Sequence, residues 1–422
     1  MGLWLLVPEH LRLGTWDLLC GWSGQPADTV APRLAFQLVH EAALCVTGVR
    51  QGRALGQQGF ELAHGLPFLA TDQAIHDLLD AHTVEQAQEL QVALGLIRRA
   101  RGHFVGKLLA SDPHRLKSYS QRHLRLHPLA AQEARPSKCA QTFFALDPDS
   151  HQPVCMLTGT SARTVSQATP DLLALAQRIL CPQPQPGQKI LALADSEHFT
   201  LELLDPCRQH EGFDLLVPLP HQPYFKKQFA ALPETAFTRQ WAGLALAQQP
   251  RPRPGDQPPL SQWVQRTGEQ AAQYQYKGFV GTAPLAGREC LLTEFPKRWH
   301  VEEFFHDHQE LGWRRAGTLN LNVRYGQMTL ALLAQAALHQ LRQRVGEPYR
   351  HWQAAHLAKS LLAGLEGDIR VHTDTIVVTF YNAPQAQALR SHYENLSAKL
   401  EAEGIQPNIP WLYNFKLDFR FK

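Results

Sequence analysis

Three acidic positions in this chain have surroundings suited to phosphoryl transfer. Two divalent ions that bridge an attacking and a leaving oxygen need carboxylates from separate elements converging on one point. Asp112 follows the apolar, strand-like run Phe104 to Ala110 and precedes Pro113-His114-Arg115, which sets its carboxylate at a strand end beside basic residues. Asp195 closes the strand Ile190-Leu191-Ala192-Leu193-Ala194 and leads into Ser196-Glu197-His198-Phe199, where a helix begins. Glu302 lies in Arg298-Trp299-His300-Val301-Glu302-Glu303-Phe304-Phe305, whose apolar members bury one helical face and leave a carboxylate for a cleft. Each residue alone has a structural explanation. Asp112 before a proline caps a turn, Asp195 N-caps the helix that follows it, and Glu302 or Glu303 is a solvated helix residue, with Arg298 and Glu302 an i, i+4 ion pair. Only the three together favour chemistry. Asp147 and Asp149, in Phe143-Phe144-Ala145-Leu146-Asp147-Pro148-Asp149, also follow an apolar strand and compete with Asp112 for the first position, although a turn between paired strands would use them equally well.

The elements that must position these groups follow from periodicity. Val105 to Ala110, Thr142 to Leu146, Val154 to Thr158 and Lys189 to Ala194 read as strands, with a helix over Asp171 to Leu180 before the last of them. Strands are expected again at Phe213 to Val217, Phe237 to Ala247, Tyr274 to Gly281 and Cys290 to Thr293, with no long helix among them. Pro-rich loops cover Cys181 to Gly187 and Gln249 to Pro259. Ala31 to Arg101 is helical, broken at Gly52, Gly59 and Gly65-Leu66-Pro67. Thr71-Asp72 is an N-cap for Gln73 to Leu79, either the second half of a helix-turn-helix or one member of a packed bundle. Helices return over Val301 to Leu311, Met328 to Leu341 and Tyr349 to Leu365. The tail alternates strands at Asp368 to Val371 and Thr375 to Tyr381, a helix near Ala386 to Glu403 and a closing strand at Asn414 to Phe421. A basic run of Arg98, Arg99, Arg101, Lys107, Arg115, Lys117, Arg122 and Arg125, with Tyr119 inside it, brackets Asp112 and is suited to phosphate contact.

The segment Phe295-x-x-Arg298-x-x-x-Glu302, followed by Phe304-Phe305, resembles the signature of insertion-sequence transposases: Tyr, two residues, Arg, three residues, Glu, six residues, Lys. Arg298 and Glu302 match in spacing. Phe295 stands at the Tyr position and Gln309 at the Lys position, with His308 and Arg314 the nearby basic residues. The order strand, hairpin, helix, strand is similar to a ribonuclease H-like core, and the interval from Asp195 to Glu302 has room for the β-rich insertion these enzymes place before their final helix. The resemblance spans roughly residues 100 to 345.

It implies an α/β fold with a ribonuclease H-like mixed sheet, a β-rich insertion, a helical N-terminal region and a C-terminal α+β extension. The expected division is 1–103 helical and DNA-binding, 104–212 first part of the catalytic core, 213–294 insertion, 295–345 final core helices and 346–422 extension. It further implies DDE-type cleavage and joining of DNA, with Asp112, Asp195 and Glu302 as catalytic metal ligands for two Mg2+ ions, Mn2+ being able to substitute. Arg298 is implied at the scissile or flanking phosphate, and His114, Arg115, Lys117 and Arg122 are candidate DNA contacts. The partners implied are double-stranded DNA, as terminal inverted repeats and target, and a second copy of the chain on that DNA. A metal-dependent nuclease without strand transfer, or a DNA-binding descendant that no longer cuts, are the alternatives.

Composition narrows the rest. With 422 residues, 44% of them hydrophobic, the chain has enough apolar material for two or three domains. A net charge of +3 is weak evidence for nucleic acid, so charge distribution must carry that argument. Seven scattered cysteines without a C-x-x-C pair point away from a disulfide framework or zinc knuckle and towards a reducing cytoplasm. The apolar start Met-Gly-Leu-Trp-Leu-Leu-Val is too short for a signal segment, and no stretch has the length of a membrane span, so a soluble protein with no membrane partner is expected. The 21 histidines include no H-E-x-x-H; no G-x-S-x-G elbow or Walker loop occurs, so neither a zinc protease, a serine hydrolase nor an ATP-dependent enzyme is expected.

Overall fold

The computed structural model describes residues 1–46, 59–118, 126–127, 136–181, 189–253, 258–283, 290–311 and 318–422. Gly52, Tyr119, Arg122, Arg125, Arg314, most of the Cys181 to Gly187 loop and the centre of the Gln249 to Pro259 loop lie outside these residues. The chain forms two compact units. One comprises Met1–Arg98, Ser118–Arg122 and Phe305–Lys422, the other Arg99–Lys117 and His123–Phe304.

The second unit is built on a ten-stranded sheet. Its strands are β1 (Leu108–Lys117), β2 (Leu126–His127), β3 (Ser137–Asp147), β4 (Gln152–Thr160), β5 (Ile190–Ala194), β6 (Phe213–Pro218), β7 (Phe237–Trp241), β8 (Leu244–Arg251), β9 (Leu260–Thr267) and β10 (Gln275–Gly281). Across the core the order is β4-β3-β1-β5-β6. β3 is antiparallel to both β4 and β1, whereas β1, β5 and β6 run parallel. That order and those directions make a ribonuclease H-like core, as the α/β reading expected. β10, β9, β8 and β7 extend the same sheet antiparallel from β6.

Sequence explains the layout. β5 is flanked on both sides by parallel strands, and its run Ile-Leu-Ala-Leu-Ala is the continuous apolar pattern of a fully interior strand. The helix Val165–Leu180 is started by a capping box between Thr164 and Gln167 and packs its apolar face on β3 and β4.

Three expectations are corrected in this unit. Cys290 to Thr293 is not a strand but part of the helical turn Cys290–Glu294, because Leu291 and Phe295, four residues apart, are buried in one core cluster. β1 does not end at Ala110 but continues to Lys117, so Asp112 lies within the strand. Beyond Ser111, the last position paired with β5, β1 is bonded to β3 alone, the edge setting in which Pro113 is tolerated. The single strand expected over Phe237 to Ala247 is instead the hairpin β7–β8, because Gly243 adopts the left-handed conformation (φ 75°) that a tight turn requires.

The first unit is mainly helical. Its centre is Leu321–Val345, 25 residues long, capped by the Asn320 side chain and buried along most of its length. The helices Ala31–Ala43 and Asp72–Asp80 pack against it, the latter capped by Thr71 as its sequence suggested. Tyr349 to Leu365 is broken into short turns rather than one helix, and Ala386 to Glu403 is two helices, Ala386–Tyr393 and Leu396–Ala402, separated by Asn395 at φ 55°. The tail strands β11 (Gly367–His372), β12 (Thr375–Phe380) and β13 (Lys416–Phe421) form a separate sheet. Among the described residues, no helix is long and apolar enough to cross a membrane.

Candidate active site

Ser111 of β1 pairs with Ala194 of β5, so Asp112 and Asp195 emerge side by side where the two parallel strands separate. Parallel neighbours put their chain ends at one sheet edge, which is how two residues 83 positions apart in a sequence become adjacent. Asp195 then caps the short 3-10 turn Ser196–His198. Its Oδ1 accepts hydrogen bonds from the Glu197 amide at 3.0 Å and from His198 Nδ1 at 2.7 Å. The capping role and the site role therefore belong to the same residue. Among the described residues nothing claims Oδ2 of Asp195.

Glu302 arrives from a separate element. The 3-10 turn Phe295–Trp299 runs into the helix His300–His308. Phe295 anchors the turn in the core, its ring edge-on to Phe279 at 4.9 Å, among Leu193, Leu216, Trp263 and Leu291. Val301 and Phe304 bury the next turn, with Phe304 against Phe144 of β3 at 5.5 Å. With that face fixed, Arg298 and Glu302 project from the same side of the turn. Arg298 Nη2 donates to Glu302 Oε1 at 3.0 Å, and Nη1 stands 3.7 Å from Asp112 Oδ2.

The electrostatics reflect an excess of carboxylate. Burial, together with the charges of Asp195, Glu302 and Glu197, pushes the Asp112 carboxyl up to about 8 against the pull of Arg298. Burial acts the same way on Asp195, but the hydrogen bond and charge of His198, the Glu197 amide and Arg298 more than offset it, and its carboxyl lies below the ordinary value. Two neighbouring carboxyls with values driven apart are what adjacent like charges produce.

Of the candidate DNA contacts, His114, Arg115 and Lys117 continue along β1 from Asp112. Arg115 is already engaged: it donates to both Glu197 oxygens, at 2.9 and 2.5 Å, and to Gln141 at 3.3 Å. Arg122 lies outside the described residues. Asp147 is fully buried and spends its oxygens on main-chain amides, those of Gly106 (2.7 Å), Asp149 (3.1 Å) and Ser150 (3.0 Å). It shapes the β3–β4 turn. Asp149 accepts from Lys297 at 2.8 Å, Lys297 also binds Glu294 at 2.9 Å, and His300 Nδ1 meets the Pro148 carbonyl at 2.6 Å. The turn thus clasps the segment that carries Arg298 and Glu302. This clasp and the Asp195–His198 contact were missed from sequence; only the i, i+3 spacing of Asp195 and His198 hinted at the second.

A family model described as the transposase DDE domain matches residues 121–336, half of the chain. The chain belongs to the transposase DDE domain family. The match takes in Asp195, Arg298 and Glu302 and begins after Asp112, whose assignment rests on geometry. Among solved structures, the chain is similar to the piggyBac transposase in its synaptic complex with hairpin DNA, at 10% identity over 85% of this chain and 79% of that one, with a TM-score of 0.42. It is also similar to the Mos1 mariner paired end complex with Mn, at 12% identity over 42% of this chain and 58% of that one, with a TM-score of 0.19. No curated protein sequence matches it.

Transposases of the DDE family use divalent metal. As the side chains stand, no three His, Cys, Asp or Glu among the described residues are at ligand spacing; here the Arg298 guanidinium bridges two of the carboxylates. The donor set nevertheless fits a hard dication: all-oxygen donors, an oxygen on Asp195 uncommitted among the described residues, and a carboxyl on Asp112 destabilised as an anion by burial and by the neighbouring carboxylates.

Proposed function

We propose that this member of the DDE family is a DNA transposase of the insertion-sequence type, cleaving element ends and joining them to target DNA. The observation that carries the reading is the convergence of Asp112 and Asp195 where β1 and β5 part, with Glu302 linked to Asp112 through Arg298. Asp112, Asp195 and Glu302 would hold two Mg2+ ions, or Mn2+ in their place. Such ions, when bound, stabilise the charge that develops on the attacking and leaving oxygens.

The chain's own residues do the rest. His198 fixes the Asp195 carboxylate through Oδ1 and leaves Oδ2 for binding. Arg298, which lies between Asp112 and Glu302, would contact the phosphate at or beside the cut. The attacking group is water in the cleavage step and the freed 3′-hydroxyl in the joining step. The helical N-terminal region binds the terminal inverted repeats, the insertion strands β7 to β9 hold flanking DNA, and two copies assemble on the DNA to bring two ends together.

A second reading, a DNA-binding descendant without activity, is favoured by Phe295 and Gln309, which stand where the signature has Tyr and Lys. Phe295 is a core residue here, so the tyrosine hydroxyl is replaced by packing. The experiment is cleavage of DNA carrying the element's own ends with Mg2+ or Mn2+. Asp195→Ala and Glu302→Ala should each lose on the order of 10³-fold or more in rate, several kcal/mol of transition-state stabilisation, while still binding DNA. Retained cleavage in Asp195→Ala would sink the assignment. Binding without cleavage in the wild type selects the inactive descendant, and cleavage without strand-transfer product selects a nuclease.

A further inference from the structure

β10 carries a lysine to the same sheet edge as the carboxylates. Phe279, Val280 and Gly281 pair with Pro218, Val217 and Leu216 at the end of β6. Gln275 to Gly278 therefore run on past the carboxyl ends of the parallel strands, the edge at which Asp195 stands. Side chains two apart on a strand share a face, so Lys277 lies on the face where Phe279 meets Phe295. The geometry agrees: Lys277 Nζ is 5.2 Å from the Phe279 ring centre and 5.7 Å from that of Phe295. Phe295 and Arg298 are three apart on one 3-10 turn, the spacing at which side chains superimpose along its axis.

Lys277 thus faces the turn that presents Arg298. Partial burial against the two rings and then the charge of Arg298 hold its ammonium below the ordinary lysine value. Lys277 is exposed, and among the described residues no carboxylate pairs with it. Two neighbouring cations, one with no carboxylate partner among the described residues, beside a site proposed to handle phosphodiesters, leave room for one more anion.

We propose that Lys277 and Arg298 together bind one phosphate of the DNA backbone next to the bond that is cut. The inference rests on the transposase reading and supplies a cation that the departed signature position, Gln309, lacks. Lys277 reaches the site from the sheet rather than from the helix. Its exposed ammonium stands over the two phenyl rings and is open to the DNA backbone.

The test uses the full chain and a short fluorescent duplex of mixed sequence in magnesium buffer, with affinity measured across a salt series. A backbone contact is independent of sequence, so Lys277→Gln should weaken binding several-fold at low salt and flatten the log–log salt dependence by about one. Lys277→Arg should restore both. If one phosphate is shared, Lys277→Gln combined with Arg298→Gln should lose less than the sum of the two single losses. An unchanged slope in Lys277→Gln, with normal binding by the wild type, overturns the Lys277 contact and leaves the catalytic reading standing. Strictly additive losses overturn the shared phosphate. A wild type that fails to bind DNA at all overturns the transposase reading and this inference with it.

Discussion

The helical unit and the sheet unit each gather carboxylates around arginine, and they do so to opposite ends. In the helical unit, Glu9 is fully buried and accepts from Arg12 at 3.1 Å and Arg344 at 2.9 Å, while Arg12 reaches Glu403 at 2.7 Å. Two acids meet two guanidinium groups, and the Tyr393 hydroxyl adds a further donor at 3.4 Å. The cluster is neutral in itself and ties the first helix to the end of the long central helix and to the tail. At the edge of β1 and β5, by contrast, Asp112, Asp195 and Glu302 share one arginine, since Arg115 is taken by Glu197. A balanced cluster holds the fold together; an unbalanced one is strained until positive charge arrives from outside.

The sharpest way to break that contrast is to remove an acid from each cluster. Glu9→Ala leaves buried Arg12 and partly buried Arg344 facing one remaining carboxylate, and breaking the buried Glu9–Arg12 pair in this way costs about 3–5 kcal/mol. Chemical denaturation should show that loss. Asp195→Ala should cost activity and little stability. If Glu9→Ala melts like the wild type, the balanced cluster is not what holds the helical unit.

A smaller effect of opposite sign is expected at Asp112. The folded protein keeps its proton up to about pH 8, whereas the unfolded chain releases it near the ordinary value of 3.8. Between those values the folded state binds more protons, so this residue makes stability fall as pH rises from about 4 to about 8. Asp112→Asn removes that dependence. With a chelator present, the variant should match the wild type near pH 4 and become more stable by about 1–3 kcal/mol at pH 8. A difference that does not grow with pH would remove the case for an unbalanced site, and magnesium should narrow it by stabilising only the wild type.

Much of this site was legible in the sequence because its parts are local. The apolar run ending in Asp195 and the Arg298 to Glu302 spacing each sit within a few residues. β1 was misread at its end, since Pro113 looks like a stop unless β1 is known to have lost its β5 neighbour there. Phe237 to Ala247 was read as one strand because its apolar alternation continues through Gly243, whose φ no pattern reveals. Pairings across long separations left no local trace: Arg115 with Glu197, Lys297 with Asp149 and Lys277 above Phe295 depend on sheet order. Asp147 and Asp149 competed with the favoured Asp112 for the same reason, because a strand followed by an acid describes a turn as well as a ligand.

Those two residues supply the finest test. Lys297 sits between Asp149 and Glu294 with its side chain about a third exposed (32%), and pairs of that kind contribute only ~0–1 kcal/mol to stability. Its value lies in placement, because the segment it holds to the β3–β4 turn is the one that presents Arg298 and Glu302. Lys297→Ala should therefore melt within about 1 kcal/mol of the wild type yet cut DNA on the order of tenfold more slowly, as expected when a reacting constellation loosens by a fraction of an ångström. The loss should fall on kcat with KM for DNA little changed, and Lys297→Arg should recover most of it. A raised KM with normal kcat, or a flatter salt dependence of binding, would mean that Lys297 contacts DNA directly. In that case the clasp would be a second phosphate site, and the division between balanced pairs that build and unbalanced ones that act would fail at this turn.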